Sequence, residues 1–300
     1  MKKNTFLPAD ILLPHGVNMT KWSVIACDQF SSERDYWTRV GECVGSAPST
    51  LELIVPEVYL GEVGTAQSGA EIAAVMRDYL QSGLFQMYAD AYIYLERTIS
   101  DGRVRRGLIG KLDLESYDYT PDTKAPVRAS EKTIVSRLPA RIDVRRRAPL
   151  ELPHIMALID DRDCRVIEPL SEKTAGLGKV YDFELMEGGG SVKGWRVTGG
   201  AADEVKEGFL CLCDKSDVQI IIGDGNHSLA AAKAYWDEIK GGVNEEERHT
   251  HPARFALVEL NNVYDSAIDF EAIHRVVFNV DTQALIQALK KALPVTSGGG

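Results

Sequence analysis

The sequence predicts an α/β to α+β fold in which a mixed sheet carries flanking helices, and three observations lead there. The first is Val218-Gln-Ile-Ile-Ile222, a short β-branched run that breaks at Gly223-Asp-Gly-Asn226 and restarts as an Ala-rich stretch through Trp236, which spells strand, tight turn, helix. The second is Asp101-Gly102, a strong hairpin signal placed between the apolar runs 92–95 and 106–112. The third is a pair of helical-period stripes near the start of the chain, at 33–44 and 69–82.

In chain order, an extended opening leads to a helix with Ser32 as its N-cap and Asp35 three residues on, with Tyr36, Trp37, Val40, Cys43 and Val44 at helical spacing. Gly45 and Pro48 close it. In 69–82, Ile72, Val75, Met76, Tyr79 and Leu80 form one stripe and Gly83 supplies the stop. The apolar faces of both helices read as core. Residues 155–159 form a buried-type strand, and 177–200 is Gly-rich, with irregular structure or a hairpin about Glu187-Gly-Gly-Gly190. Further strands are expected at 218–222, 253–260 and 274–280, then an amphipathic helix from Thr282. The division is placed near residue 125, with an N-terminal α/β part over 1–125 and a second part over 126–300. The Ser-Gly-Gly-Gly300 ending, soon after that last helix begins, reads as the end of a fragment.

At 300 residues, 44% hydrophobic and 26% charged, the chain has ordinary globular composition. Its 34 Lys and Arg against 44 Asp and Glu give a formal charge of −10, which argues against nucleic acid as a partner and leaves room only for a local basic site. Pro and Asp residues interrupt any signal-peptide core near the start, and no run approaches membrane-spanning length, so a cytoplasmic protein without a membrane partner is expected. The five cysteines are irregularly spaced and odd in number, unlike a secreted disulfide scaffold. Cys211-Leu-Cys213 and His249-Thr-His251 have one intervening residue each, too few for the usual zinc pairs, and read as core thiols and a polar loop.

The chemistry-bearing positions form four groups. Where the helix after Asp224 begins, unpaired N–H groups and the positive end of the macrodipole welcome phosphate or carboxylate, with Asp224, Asn226, His227 and Ser228 at that end. Gly223 and Gly225 allow positive φ and close approach of a ligand to the backbone. The same Asp, Asn and Ser are equally common turn and cap residues, which is the plainer reading. Asp28 ends an apolar run just before a helix, where a carboxylate would face a cleft or simply cap a turn. Arg128-Ala-Ser-Glu-Lys-Thr133, whose Ser130–Thr133 segment resembles a helix start, precedes Arg137, Arg141 and Arg145–Arg147, and arginines grip phosphate through a planar fork; those at 137, 141 and 145 share a face only if a helix survives Pro139. His274-Arg275 heads the 276–278 run, as an anion-binding or a structural pair. Acid groups for a base or metal, arginines and a helix-start anion site are together what phosphoryl transfer requires. No Walker A motif or kinase Gly-rich loop is present.

Several of these segments, namely Val24-Ile-Ala-Cys-Asp-Gln-Phe30, Ala47-Pro-Ser-Thr-Leu51, 128–133, Ala148-Pro-Leu-Glu-Leu-Pro-His154, Ile159-Asp-Asp161, Ile222-Gly-Asp-Gly-Asn-His227 and Ile273-His-Arg-Val-Val277, resemble domain of unknown function 1015. The likeness runs through nearly the whole chain. The Gly-Asp-Gly-Asn-His segment also resembles the signature of the ParB and sulfiredoxin-like superfamily, whose members bind nucleotides and include a free-serine kinase using ADP or ATP. This second, short resemblance implies a nucleotide-binding portion in which Asp224 serves metal or phosphoryl chemistry and Asn226, His227 and the following amides hold phosphate. Two positions depart from it. Ser228 stands where related motifs carry Arg, a gap that Arg128, Arg137 or Arg275 would have to fill, and Asn226 stands where sulfiredoxins need Cys.

The expectation is therefore a small-molecule phosphotransferase using ATP or ADP and Mg²⁺ on serine or another hydroxyl metabolite. Asp224 is the metal ligand or base, and Asp28 or Glu131 the alternative base. Gly223, Gly225, Asn226, His227, Ser228, Arg128, Thr133, Arg137, His274 and Arg275 are the phosphate and nucleotide candidates. The competing expectation is a non-catalytic nucleotide-sensing or partner-binding protein.

Overall fold

The computed structural model describes residues 4–26, 30, 32–59, 68–152, 155–269 and 277–293. In chain order the regular elements are β1 (Phe6–Leu7), β2 (Ala9–Pro14), α1 (Met19–Trp22), α2 (Arg34–Val44), α3 (Gly69–Gln81), β3 (Phe85–Thr98), β4 (Val104–Asp113), β5 (Tyr117–Asp118), β6 (Val127–Ala129), α4 (Leu138–Arg147), β7 (Ile155–Ile159), β8 (Gly178–Glu184), β9 (Ser191–Val197), α5 (Gly200–Lys215), β10 (Ile220–Asp224), α6 (Asn226–Ile239), α7 (Glu245–Arg248), β11 (Phe255–Asn262) and α8 (Thr282–Ala292). Residues 1–268 form one compact unit and 269–300 a second. Within the second unit the described helix is α8, opened by Asp281, whose side chain accepts from the Ala284 N–H.

In the first unit the strands form a mixed sheet of order β5-β6-β10-β7-β11-β4-β3-β9-β8, with β1 on β4 and β2 on β3. The pairs β5/β6, β6/β10 and β7/β11 are parallel, and the remaining ones antiparallel. Strands from either side of residue 125 interleave, β4 lying against β11 and β3 against β9. Period-two alternation decides which face is covered. In β10, Ile220 and Ile222 are fully buried and the intervening Ile221 is 41% exposed. The buried face packs against Val205 and Phe209 of α5 and Leu229 and Trp236 of α6 in the main core.

Most local expectations hold. A loop of residues 99–103 joins β3 to β4, with Gly102 at φ +87. Helix α3 carries a complete Ser68/Glu71 capping box, and 178–197 is an antiparallel hairpin. Three expectations are corrected. Ser32 is not the cap of α2: the helix starts at Arg34 after Glu33, with no side-chain cap. Residues 130–133 do not begin a helix; α4 starts at Leu138, with Pro139 in its first turn, where a missing N–H costs nothing. Pro139 thus opens the helix instead of breaking it. The described residues 277–280 form no strand, and 274–276 lie outside the described residues.

Helices α4 and α6 run parallel. Leu138 at the start of α4 packs with Ala230 and Ala231 in α6, and near the other end Arg146 pairs with Glu238 at 2.9 Å and lies 5.5 Å from the Tyr235 ring. Their N-termini therefore share one end of the layer.

Candidate functional site

Two parallel strands end side by side, β6 and β10, with Ala129 opposite Ile222. Past these ends one chain turns into the 130–137 segment and the other into α6. Carboxyl ends of parallel strands followed by helix starts are where α/β sheets commonly open a crevice. The turn between β10 and α6 depends on glycine. Gly225 has φ +77, and a Cβ there would come within 3.0 Å of Ile155 Cγ1 and 3.1 Å of Ile155 Cα. A Cβ on Gly223 would lie 2.8 Å from Leu158 Cδ1.

The two segments are tied together by side chains. The Ser130 N–H donates to Asn226 Oδ1 at 3.3 Å, and Asn226 Nδ2 donates to Ser130 Oγ at 3.1 Å. Asn226 is only 4% exposed, so these bonds satisfy an amide shut away from water. The Ile134 N–H donates to His227 Nε2 at 3.2 Å. An imidazole nitrogen that accepts carries no proton, so the neutral ring holds its proton on Nδ1, which lies 3.8 Å from Glu131 Oε1. Thr133, 7% exposed, keeps its buried hydroxyl without a hydrogen-bond partner among the described residues.

At the helix start itself no side chain among the described residues caps α6; its N-cap is Gly225. The first intrahelical bond there runs from the Leu229 N–H to the Gly225 carbonyl. The N–H groups of Asn226, His227 and Ser228 stand in the uncapped first turn, with the dipole's positive end behind them. Half-buried Asp224 sits at the end of β10, where one carboxylate oxygen accepts from the Gly225 N–H at 2.7 Å. Among the described residues no three His, Cys, Asp or Glu groups are placed to hold a metal ion. Asp224 would be one ligand for Mg²⁺, an ion often held by one or two carboxylates together with waters and substrate phosphates.

The structure thus gathers Gly223, Asp224, Gly225, Asn226, His227, Ser228, Glu131 and Thr133 about one turn. Arg137 is exposed and immediately precedes α4, where its carbonyl accepts from Arg141 Nη1 at 3.1 Å. Arg128 goes elsewhere: its Nε donates to the Ala125 carbonyl at 2.7 Å, and its side chain lines a cleft with Lys124 and Gln219, residues that precede β6 and β10. Asp28, His274 and Arg275 lie outside the described residues. Sequence reasoning missed the roles of Ser130 and of the Ile134 N–H. Only the family resemblance carried by 128–133 marked that segment.

A family model described as a protein of unknown function (DUF1015) matches residues 12–298. No curated protein and no solved structure matches the chain. Among the described residues no helix is long and apolar enough to cross a membrane.

Proposed function

The chain belongs to the DUF1015 family of proteins of unknown function, and from that starting point we propose that the start of α6 binds the phosphates of ATP or ADP and that the protein transfers a phosphoryl group to a small hydroxyl metabolite such as serine. The observation that carries this reading is the uncapped first turn of α6, held against the 130–134 segment by the Ser130–Asn226 exchange. Backbone N–H groups of Asn226, His227 and Ser228 supply donors for phosphate oxygens. The short likeness of Gly-Asp-Gly-Asn-His to ParB and sulfiredoxin-like nucleotide binders points the same way.

Asp224 would hold Mg²⁺, whose chemistry is to offset charge on the phosphate oxygens. In the transfer, the acceptor oxygen forms a bond to the terminal phosphorus, the bond to the leaving phosphate oxygen breaks, and the hydroxyl proton passes to Glu131, or to Asp224 if that carboxylate serves as the base and does not hold the metal. His227, with Nε2 occupied by the Ile134 N–H, serves by fixing the loop and by facing Glu131 through Nδ1. Arg137, just before α4, would balance charge on the transferred group.

Thermal unfolding with Mg²⁺ and ATP, ADP or no nucleotide tests binding. Ligand at about 100 times its Kd adds roughly 2.7 kcal/mol of stability. A nucleotide-specific rise that Asp224→Ala removes is the expected result; no rise with any nucleotide overturns the reading. Asp224→Asn is then expected to abolish turnover across a panel of hydroxyl acceptors while leaving the fold intact. One observation favours the non-catalytic alternative: Ser228 replaces the motif's Arg, and Arg128 is engaged at the other end of β6. Nucleotide binding without transfer or release would select that alternative.

A further inference from the structure

The amino ends of β6 and β10 form a second place of interest, at the opposite end of the strand pair from the α6 start. There the Gln219 N–H donates to the Pro126 carbonyl at 2.8 Å, drawing the two strand entries together, and the buried Thr5 hydroxyl, from the chain just before β1, donates to Gln219 Oε1 at 2.9 Å. Between them lies an open cleft of about 580 Å³ whose lining includes Lys124, Arg128, Ser116 and Asp217. Arg128 Nε is fixed on the Ala125 carbonyl at 2.7 Å, which orients the guanidinium. Its two terminal nitrogens have no protein acceptor among the described residues, and neither Arg128 nor Lys124 forms an ion pair there.

Two cations against the one carboxylate of Asp217 make this cleft locally positive in a chain whose formal charge is −10. In an acidic protein, cations are expected to find carboxylates; a half-buried arginine whose fork is oriented yet unpaired is a receptor for a planar or tetrahedral oxyanion. We propose that this cleft binds a small oxyanion, carboxylate or phosphate, through Arg128 and Lys124, with the Ser116 hydroxyl as a further donor. The site is separate from the helix-start site and stands whether or not the latter binds nucleotide.

The test is a backbone amide NMR titration of the full chain with inorganic phosphate and, separately, succinate, at ionic strength held constant with sodium chloride. Saturable shifts at residues 124–128 and 216–219 with either anion, weakened at least tenfold by Arg128→Gln and also by the exposed Lys124→Gln, are the expected result. The arm that saturates identifies the head group. Shifts confined to residues 226–228, an unchanged response in both variants, or the same shifts with chloride alone overturn the proposal. Dispersed amide spectra of the variants verify that folding is retained, and a response at 226–228 without one at 124–128 separates this site's failure from that of the α6 site.

Discussion

Ser130 and Asn226, 96 residues apart in sequence, exchange hydrogen bonds across the ends of two parallel strands: the Ser130 N–H reaches Asn226 Oδ1, and Asn226 Nδ2 reaches Ser130 Oγ. Asn226 is also the first residue of α6. A single amide therefore both locks the 130–134 segment and begins the helix whose first turn is the candidate anion site.

Asn226→Asp separates these two duties. A carboxylate still accepts from the Ser130 N–H and, with the hydroxyl rotated, from Ser130 Oγ, and a negative charge suits a helix start. Stability is expected to stay close to the parent while affinity for ATP or ADP falls at least tenfold through repulsion. Asn226→Ala, which removes both bonds from a buried position, is expected to cost about 1–3 kcal/mol. Calorimetric binding and urea unfolding check the pair; an Asp variant that binds nucleotide as tightly as the parent would tell against the site.

Gly225→Ala should destabilise more than Gly102→Ala. Both glycines have positive φ, +77 and +87, but an added Cβ meets Ile155 at position 225 and nothing within 4 Å at position 102. The left-handed conformation alone costs about 1–2 kcal/mol for a non-glycine residue, and the contact with the Ile155 backbone adds to it. Equal shifts in unfolding midpoint for the two variants would refute the close approach.

The end of β4 is joined to the start of β11 by a buried fork: Arg254 Nε and Nη2 donate to the two Asp113 oxygens at 2.9 and 2.8 Å, with side chains 8% and 1% exposed. Asp113 holds the Arg254 guanidinium above its usual range, through hydrogen bonding and despite burial. Asp113→Ala strands a buried cation and is expected to cost about 3–5 kcal/mol. Replacing both partners by apolar residues should cost less, which a double-mutant cycle in urea would measure.

Asp118 supplies a pH dependence. Burial pushes its pKa up, but donors from the Thr120 N–H and the Thr123 and Thr120 hydroxyls outweigh that and hold it below the ordinary value of 3.8. A carboxylate depressed on folding stabilises above its unfolded pKa, and that stability is lost as pH falls through the folded value. Asp118→Ala should therefore be less stable than the parent at pH 7, with the gap closing below about pH 4. A gap that stays constant down to pH 2.5 would rule out this contribution.

The sequence by itself determined the local elements and the family resemblance. The β10 run, its glycine turn and the Ala-rich α6, the Asp101-Gly102 loop and the α3 stripe are each written within a dozen or so neighbouring residues, because strand alternation, glycine φ and helix periodicity are short-range effects. Element starts were less legible: the cap of α2 and the true opening of α4 at Pro139 depend on how the preceding chain enters. Tertiary structure alone decided which chemical groups meet. Only the parallel pairing of β6 with β10, across about 90 residues, brings Glu131 and Thr133 beside His227. The same pairing carries Arg128, two positions before Ser130, into a cleft at the opposite end of the strands. Nothing local encodes this, since parallel pairing is closed by long-range contacts and a side chain's direction follows from which neighbours its strand acquires.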